Sequence, residues 1–340
     1  MKLKKVSALG LSVVMALALA GCGSTGSSTN SASNASGTSN DKKTVKIGII
    51  QLVEHPALDA AREGFLETLK ANGYEEGKNL TVDYKNGQND QSTLNSIAQK
   101  FAADKPDLVL AIATSSAQAM ATASKDIPIL ITAVTDPVTS KLANSLEKPG
   151  MNVTGTNDMN PAKEQFELLK KLVPNAKKVG VIYNGGEINS QVQVKLAKEI
   201  AAGMGMEIVE ATVTGSADVM QATESLVNKV DAVYIPTDNT VVSAADAVLK
   251  VTDQAKIPVI AGESSVVDKG GLGTIGINYK KLGQQTGEMA LKVLKGAKPA
   301  DMPIESQKEY DTVINKTNAA LLGITIPDDL KSAKMVETKK

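Results

Sequence analysis

The sequence predicts an α/β protein of two Rossmann-like lobes, each a parallel sheet flanked by helices, the two joined by hinge strands. Three observations predict it. From Thr44 onward, short β-branched runs alternate with longer amphipathic ones. The short runs are nearly continuously apolar, as strands covered by helices on both faces are, and do not alternate in polarity as one-sided strands do. The alternation then restarts near Met151 to Met159, so the chain holds two similar halves.

Each element follows in order. Val45 to Gln51 (VKIGIIQ) is a strand, and Pro56 to Asn72 a helix that proline opens and Gly73 ends. Leu80 to Tyr84 precedes a helix over Gln91 to Ala103, and Asp107 to Ala113 precedes one over Ser115 to Ser124. Pro128 to Ala133 closes the first series. The second begins with a helix over Pro161 to Leu172 and a strand over Lys177 to Tyr183 (KKVGVIY). The pairs Asn189 to Ala202 with Glu207 to Val213, and Ala217 to Lys229 with Asp231 to Ile235, come next. Val241 to Ala255 then leads to Pro258 to Ala261, and Gly273 to Ile277 ends the series. A helix over Tyr279 to Leu294 and a late strand around Tyr310 to Ile314 are each free to return to the opposite half. The expected lobes are residues 44–157 with 279–300, and 158–278 with 301–330.

Composition removes whole classes of function. The 37 Lys and Arg cancel the 37 Asp and Glu, leaving no basic field for a phosphate backbone, so nucleic acid is not an expected partner. Cys22 and His55 are the single cysteine and histidine. A structural zinc site takes about four such ligands and an internal disulfide takes two cysteines, so no metal site or disulfide is expected. Catalysis is poorly supplied, and neither a catalytic residue nor a cofactor is expected. No phosphate-binding loop occurs, and no G-x-S-x-G elbow, so a serine hydrolase would rest on His55 as its base. Gly271, Gly273 and Gly276 match G-x-G-x-x-G, but they precede or lie within a strand and do not open a helix after one.

The amino-terminal segment concerns location. Residues 1–21 combine Lys2, Lys4 and Lys5 with a 15-residue, largely apolar run from Val6 to Ala20, too short to span a bilayer comfortably. Leu19-Ala20-Gly21-Cys22 resembles the bacterial lipobox, in which the cysteine is lipidated and becomes the first mature residue. Between Gly23 and Asn40, 16 of 18 residues are Gly, Ser, Thr or Asn, which makes residues 22–43 a disordered tether. The expected location is extracytoplasmic, with Cys22 anchoring the chain to the cell membrane.

Ligands in open parallel sheets bind beyond the carboxyl ends of the strands, where helix N-termini offer free N–H groups. The first such turn carries His55, a ligand contact or general base on one reading and a cap or surface residue on the other. Thr114, Ser115 and Ser116 follow the third strand, where their hydroxyls either cap a helix or join its amides in a carboxylate cradle. Thr135 and Asp136 hold the equivalent place after the fourth, with Asp-Pro also a common turn opener. In the second half, Tyr183, Asn184, Glu187 and Asn189 surround two permissive glycines. Asp238 follows one strand later, either to bind a ligand ammonium or to cap a helix, and Glu263 opens another helix. Anion-binding groups therefore concentrate in the first half and carboxylates in the second.

Together, the lipobox, the two halves and the runs Gln51…His55-Pro56, Ala113-Thr114-Ser115-Ser116, Thr132 to Pro137, Tyr183 to Ser190, Pro236 to Thr240 and Gly262-Glu263-Ser264 resemble the substrate-binding lipoproteins of ABC importers. The resemblance covers about residues 44–330. It is closest to the subgroup with the type I periplasmic-binding-protein fold that includes tryptophan- and phenylalanine-binding members. It implies two lobes joined by three crossing segments, closing by a hinge on a small ligand, and a membrane permease with a separate ATPase subunit. It also implies that Ser115, Ser116 and nearby amides hold an amino-acid carboxylate, with Thr135 helping. Asp238 would take the ammonium, while Asn184, Glu187 and Asn189 line the side-chain end or the closing lip. Tyr183 is the tyrosine best placed to touch a ligand. A sugar or nucleoside receptor of the same fold, a sensor for a membrane kinase, and an enzyme are the alternatives.

Overall fold

The computed structural model describes residues 44–338, so the expected signal peptide, the tether and Cys22 lie outside the described residues. In chain order the elements are β1 (Val45–Gln51), α1 (Pro56–Ala71), β2 (Leu80–Asn86), α2 (Gln91–Asp104), β3 (Leu108–Ile112), α3 (Thr114–Ala123), β4 (Ile129–Val134) and β5 (Val153–Asn157). The second series runs α4 (Ala162–Leu172), β6 (Lys178–Asn184), α5 (Ile188–Gly203), β7 (Glu207–Val213), α6 (Val219–Glu224), β8 (Ala232–Ile235), α7 (Asn239–Ser243), α8 (Ala245–Ala255), β9 (Val259–Ala261), α9 (Ser264–Lys269) and β10 (Gly273–Gly276). The chain finishes with α10 (Tyr279–Leu294), β11 (Glu305–Ser306), β12 (Asp311–Asn315), α11 (Lys316–Leu322) and β13 (Lys334–Val336).

Two sheets result, in the orders β11-β5-β4-β3-β1-β2 and β13-β12-β10-β9-β8-β6-β7. The first is parallel throughout, and the second is parallel except where β12 enters against β10. Each contains the doubly wound order in which the chain reverses direction beside its first strand, β1 in one and β6 in the other, and that reversal opens a crevice at the carboxyl ends. The chain passes between the sheets after β5, after β10 and after β11.

Several expectations change. β5 is absent from the sequence pattern because its residues, VTGTN, are polar, yet all five are buried. Their hydroxyls find partners: Thr154 donates to the Met302 carbonyl at 2.9 Å, and the Thr156 and Thr286 hydroxyls lie 2.8 Å apart. β11 pairs with β5, so residues 305–306 belong to the first sheet and not to the second lobe, and β13 carries the second sheet past residue 330. The expected helix over 217–229 is regular only from Val219 to Glu224. That over 241–255 is interrupted at Ala244 (φ −107°, ψ 22°), which frees α7 to start earlier, at Asn239, under its own cap.

Two features of the first lobe position the site. Helices α1 and α10 touch backbone to backbone: a Cβ on Gly283 would lie 1.9 Å from the Ala61 carbonyl oxygen, and one on Gly64 would lie 2.1 Å from that of Lys280. This contact sets where His55 and Tyr279, at the starts of the two helices, stand relative to each other. The ladder between β4 and β5 contains a bulge: Ile131 faces Gly155 but Val134 faces Asn157, so one extra residue is carried on β4. Ala133, within it, has φ 55°, and Gly155 opposite has φ 133° with no room for a Cβ, which would meet the Ile131 carbonyl oxygen at 2.2 Å.

Candidate ligand-binding site between the lobes

The carboxyl ends of both sheets converge on one small cavity. His55 and Leu58 reach it from the start of α1, Ala133 and Thr135 from the end of β4, and Asp158 and Tyr279 from two of the crossings. The second lobe supplies Asn189 on α5, Thr237, Asp238, Asn239 and Val242 after β8, and Glu263 after β9. The cavity measures about 10 Å³, near the least that holds one water. The lobes are thus closed on one another.

Three carboxylates, Asp158, Asp238 and Glu263, share this cavity, each at most 2% exposed. Hydrogen bonds in place of ion pairs hold them. Asp158 accepts from the Thr135 hydroxyl at 3.2 Å and from the Tyr279 hydroxyl at 2.7 Å. Asp238 caps α7 through the Val241 N–H at 2.8 Å, and its other oxygen accepts from the Asn184 N–H and the Ser190 hydroxyl, both at 2.6 Å. Glu263 accepts from Ser265 with Oε1, while its buried Oε2 has no partner. Burial raises the pKa of all three, that of Glu263 to about 7, and the neighbouring Glu187 charge adds to the rise at Asp238. Lys269 acts on Glu263 more weakly than its burial and its acidic neighbours do.

His55 is neutral here, because burial lowers its pKa to about 4. Its tautomer follows from its neighbour. The Asn239 amide nitrogen donates to Glu187 at 2.6 Å, which leaves Asn239 Oδ1, 3.4 Å from His55 Nε2, as an acceptor. The imidazole proton is therefore on Nε2, and Nδ1 is a buried acceptor without a donor. Asn189 Oδ1 is another. With Glu263 Oε2, three unsatisfied acceptors belong to residues lining one cavity. A group bearing several N–H donors and a positive charge is their complement.

Of the residues expected from sequence, His55, Thr135, Asn189, Asp238 and Glu263 line the cavity. Thr114, Ser115 and Ser116 form the first turn of α3 and do not line the cavity. The Thr114 and Ser116 hydroxyls are buried and unpartnered, and Ala113 before them is held at φ 76°, ψ 158°. Backbone of that kind costs roughly 1–3 kcal/mol and concentrates at binding sites. Asp136 does not face the cavity: it accepts from the Val138 and Thr139 N–H groups and closes its own turn. Tyr183 points elsewhere, its hydroxyl donating to Glu210 at 2.8 Å. Asn184 and Glu187 are committed to protein partners off the wall, Glu187 to five donors on Asn189, Asn239 and Thr240. His55 opens α1 without a side-chain cap bond, so capping is not its role.

Asp158, Tyr279, Thr237 and Asn239 were not expected. Asp158 and Tyr279 sit where the chain changes lobes, and a pattern search there sees only the end of one series and the start of a helix. Among the described residues no group of three His, Cys, Asp or Glu side chains is placed to hold a metal ion, and no helix is long and apolar enough to cross a membrane.

Two doubly wound lobes closing three chain crossings over a buried polar cavity define an extracytoplasmic type of solute receptor, the periplasmic-binding-protein fold. The chain belongs to the ABC transporter substrate-binding proteins, whose family model matches residues 46–337. It is 45% identical over 344 residues to a tyrosine-binding protein of Clostridioides difficile (strain R20291), covering 100% of this chain and 99% of that one. A Streptococcus pneumonia ABC domain solved in complex with L-Trp is 39% identical, covers 86% of this chain and 100% of its own, and superposes with a TM-score of 0.84. A substrate-binding protein with adhesive properties from Clostridium difficile, in its ligand-free, open form, is 50% identical, with 87% and 100% coverage, but superposes at only 0.67. Identity and superposition therefore run in opposite directions between these two relatives.

Proposed function

We propose that this protein captures an aromatic α-amino acid between its lobes and delivers it to a membrane permease powered by a separate ATPase subunit. The observation that carries the reading is the set of three donor-less acceptors, Glu263 Oε2, Asn189 Oδ1 and His55 Nδ1, on residues that line one cavity from both lobes, with buried carboxylates and no ion pair. A protonated α-amino group supplies three N–H donors and the missing charge. Glu263 is its main partner in place of Asp238, whose two oxygens already serve three protein donors. The unpartnered hydroxyls of Thr114 and Ser116, with Ser115 and the free amides of α3, receive the carboxylate once the lobes part. Leu58, Val242 and Tyr279 offer apolar and ring surface for a side chain, and relatives named for tyrosine and solved with L-Trp support an aromatic one. The protein acts by binding and not by turnover, and Cys22 holds it on the outer face of the membrane by a lipid.

A thermal-shift screen of the protein from Lys42 onward tests the ligand. Tyrosine, phenylalanine or tryptophan is expected to raise the melting temperature by mass action, and their N-acetyl forms, which lack the ammonium, are not. A shift from sugars or nucleosides alone overturns the reading. For the anchor, Cys22→Ala is expected to move the protein from the membrane to the soluble fraction with unchanged affinity; membrane retention would remove the lipid assignment.

A further inference from the structure

We infer that Glu187 is a positioning residue for a latch across the cleft, closed by Asn89 of the first lobe on Thr240 of the second, which sets how long a ligand stays. The latch itself needs no particular ligand, although its consequence for residence time rests on the receptor reading above.

The Thr240 hydroxyl is fully buried and uses its whole bonding capacity, one donor and two lone pairs. It donates to Glu187 Oε1 at 2.8 Å and accepts from Asn184 Nδ2 at 2.9 Å, both within the second lobe. Its last lone pair accepts from Asn89 Nδ2, also at 2.9 Å, across the cleft. Because Glu187 fixes the hydroxyl proton, the remaining lone pair faces the first lobe. Glu187 does the same for a second cross-cleft contact: its Oε2 takes the Asn239 amide nitrogen, which turns Asn239 Oδ1 toward His55. One carboxylate thus orients two of the second-lobe groups that reach across; Gln193, which reaches the Thr135 hydroxyl at 3.5 Å, does so without it.

Asn89 is held ready from its own side. Its N–H donates to the Leu52 carbonyl at 2.9 Å, the preceding Gly87 is tied to the Gln51 carbonyl at 2.8 Å, and Asp90 caps α2 through Thr93. Between these anchors Gln88 and Asn89 both take left-handed backbone, φ 54° and 58°. Two successive non-glycine residues in that region are uncommon and cost energy. Neither Asn89 nor Thr240 lines the cavity, so the bond between them acts on closure and not on recognition, whereas Glu187 also holds Asn189 and Asn239, which do line it.

Stopped-flow binding of tyrosine to full-length protein in detergent tests this. Asn89→Ala is expected to raise the dissociation rate about fivefold, the worth of one neutral hydrogen bond, with the association rate and the ranking of amino acids unchanged. Glu187→Gln is expected to raise it further, and Thr240→Val combined with Asn89→Ala to add little to either alone. An unchanged dissociation rate in Asn89→Ala overturns the latch, and so does an altered ranking, which would make Asn89 a ligand contact. If no amino acid binds, the receptor reading fails separately, and the latch is then decided by distances between spin labels on the two lobes of ligand-free protein. A smaller closed fraction in Asn89→Ala than in the native chain supports it, and equal fractions overturn it.

Discussion

Glu263→Gln is expected to weaken binding of a free amino acid by about 30- to 150-fold, the roughly 2–3 kcal/mol of a charged hydrogen bond in a buried site. The same change is expected to alter two pH dependences of opposite sign. Folding raises the Glu263 pKa from 4.5 to about 7. Between those values the folded, ligand-free chain holds more proton than the unfolded one, so this group makes stability fall as pH rises through that window. An ammonium ligand favours the ionised carboxylate, so affinity rises over the same window and levels off above pH 8. Calorimetric titrations and melting curves at pH 5.5 and 8 should find both slopes reduced in Glu263→Gln, with Asp158 and Asp238, whose pKa values burial also raises, supplying what remains. If the variant binds as the native protein does at both pH values, the ammonium lies elsewhere.

Gly283→Ala is the second large effect, on stability. The added methyl would have to occupy space 1.9 Å from the Ala61 carbonyl oxygen, and a helix backbone cannot rotate aside as a side chain can. The helices must separate, at an expected cost of about 3 kcal/mol, near the top of the overpacking range. For a chain of this size that lowers the melting temperature by about 5 °C. Ligand affinity should fall too, since α1 carries His55 and Leu58 and α10 carries Tyr279 into the cavity. Gly296→Ala provides the comparison for added bulk, because a Cβ there meets nothing within 4 Å, although its φ of 102° still strains it. A loss in Gly283→Ala no greater than in this control would mean that the helix spacing yields easily.

What the sequence makes legible is whatever burial writes as a pattern. β1 reads from its run of buried isoleucines, and α10 from apolar residues at helical spacing. β5 does not, because its threonines satisfy their hydroxyls through partners such as Met302 and Thr286, far along the chain. The site divides in the same way. His55, Asp238 and Glu263 could be found because each follows a recognisable strand. Asp158 could not, since its importance depends on Tyr279 arriving from 121 residues away to donate a hydrogen bond. Asp238 shows the opposite limit: its position in sequence marks the cavity, but only the three donors folded around it reveal that its oxygens are spoken for. Whether a polar residue serves a helix or a ligand is decided by neighbours that local sequence does not name.

The single extra residue carried on β4 has an effect of its own. Side chains along a strand alternate between faces, so Ala133 reverses the parity of everything after it, and Thr135 looks into the cleft on the side opposite to the one an unbroken count would assign. Deleting Ala133 would restore the count and turn Thr135 and its bond to Asp158 away together, a change that no substitution at either position reproduces. Recognition at this corner can therefore be rewritten by changing the length of the chain, with the side chains that perform it left as they are.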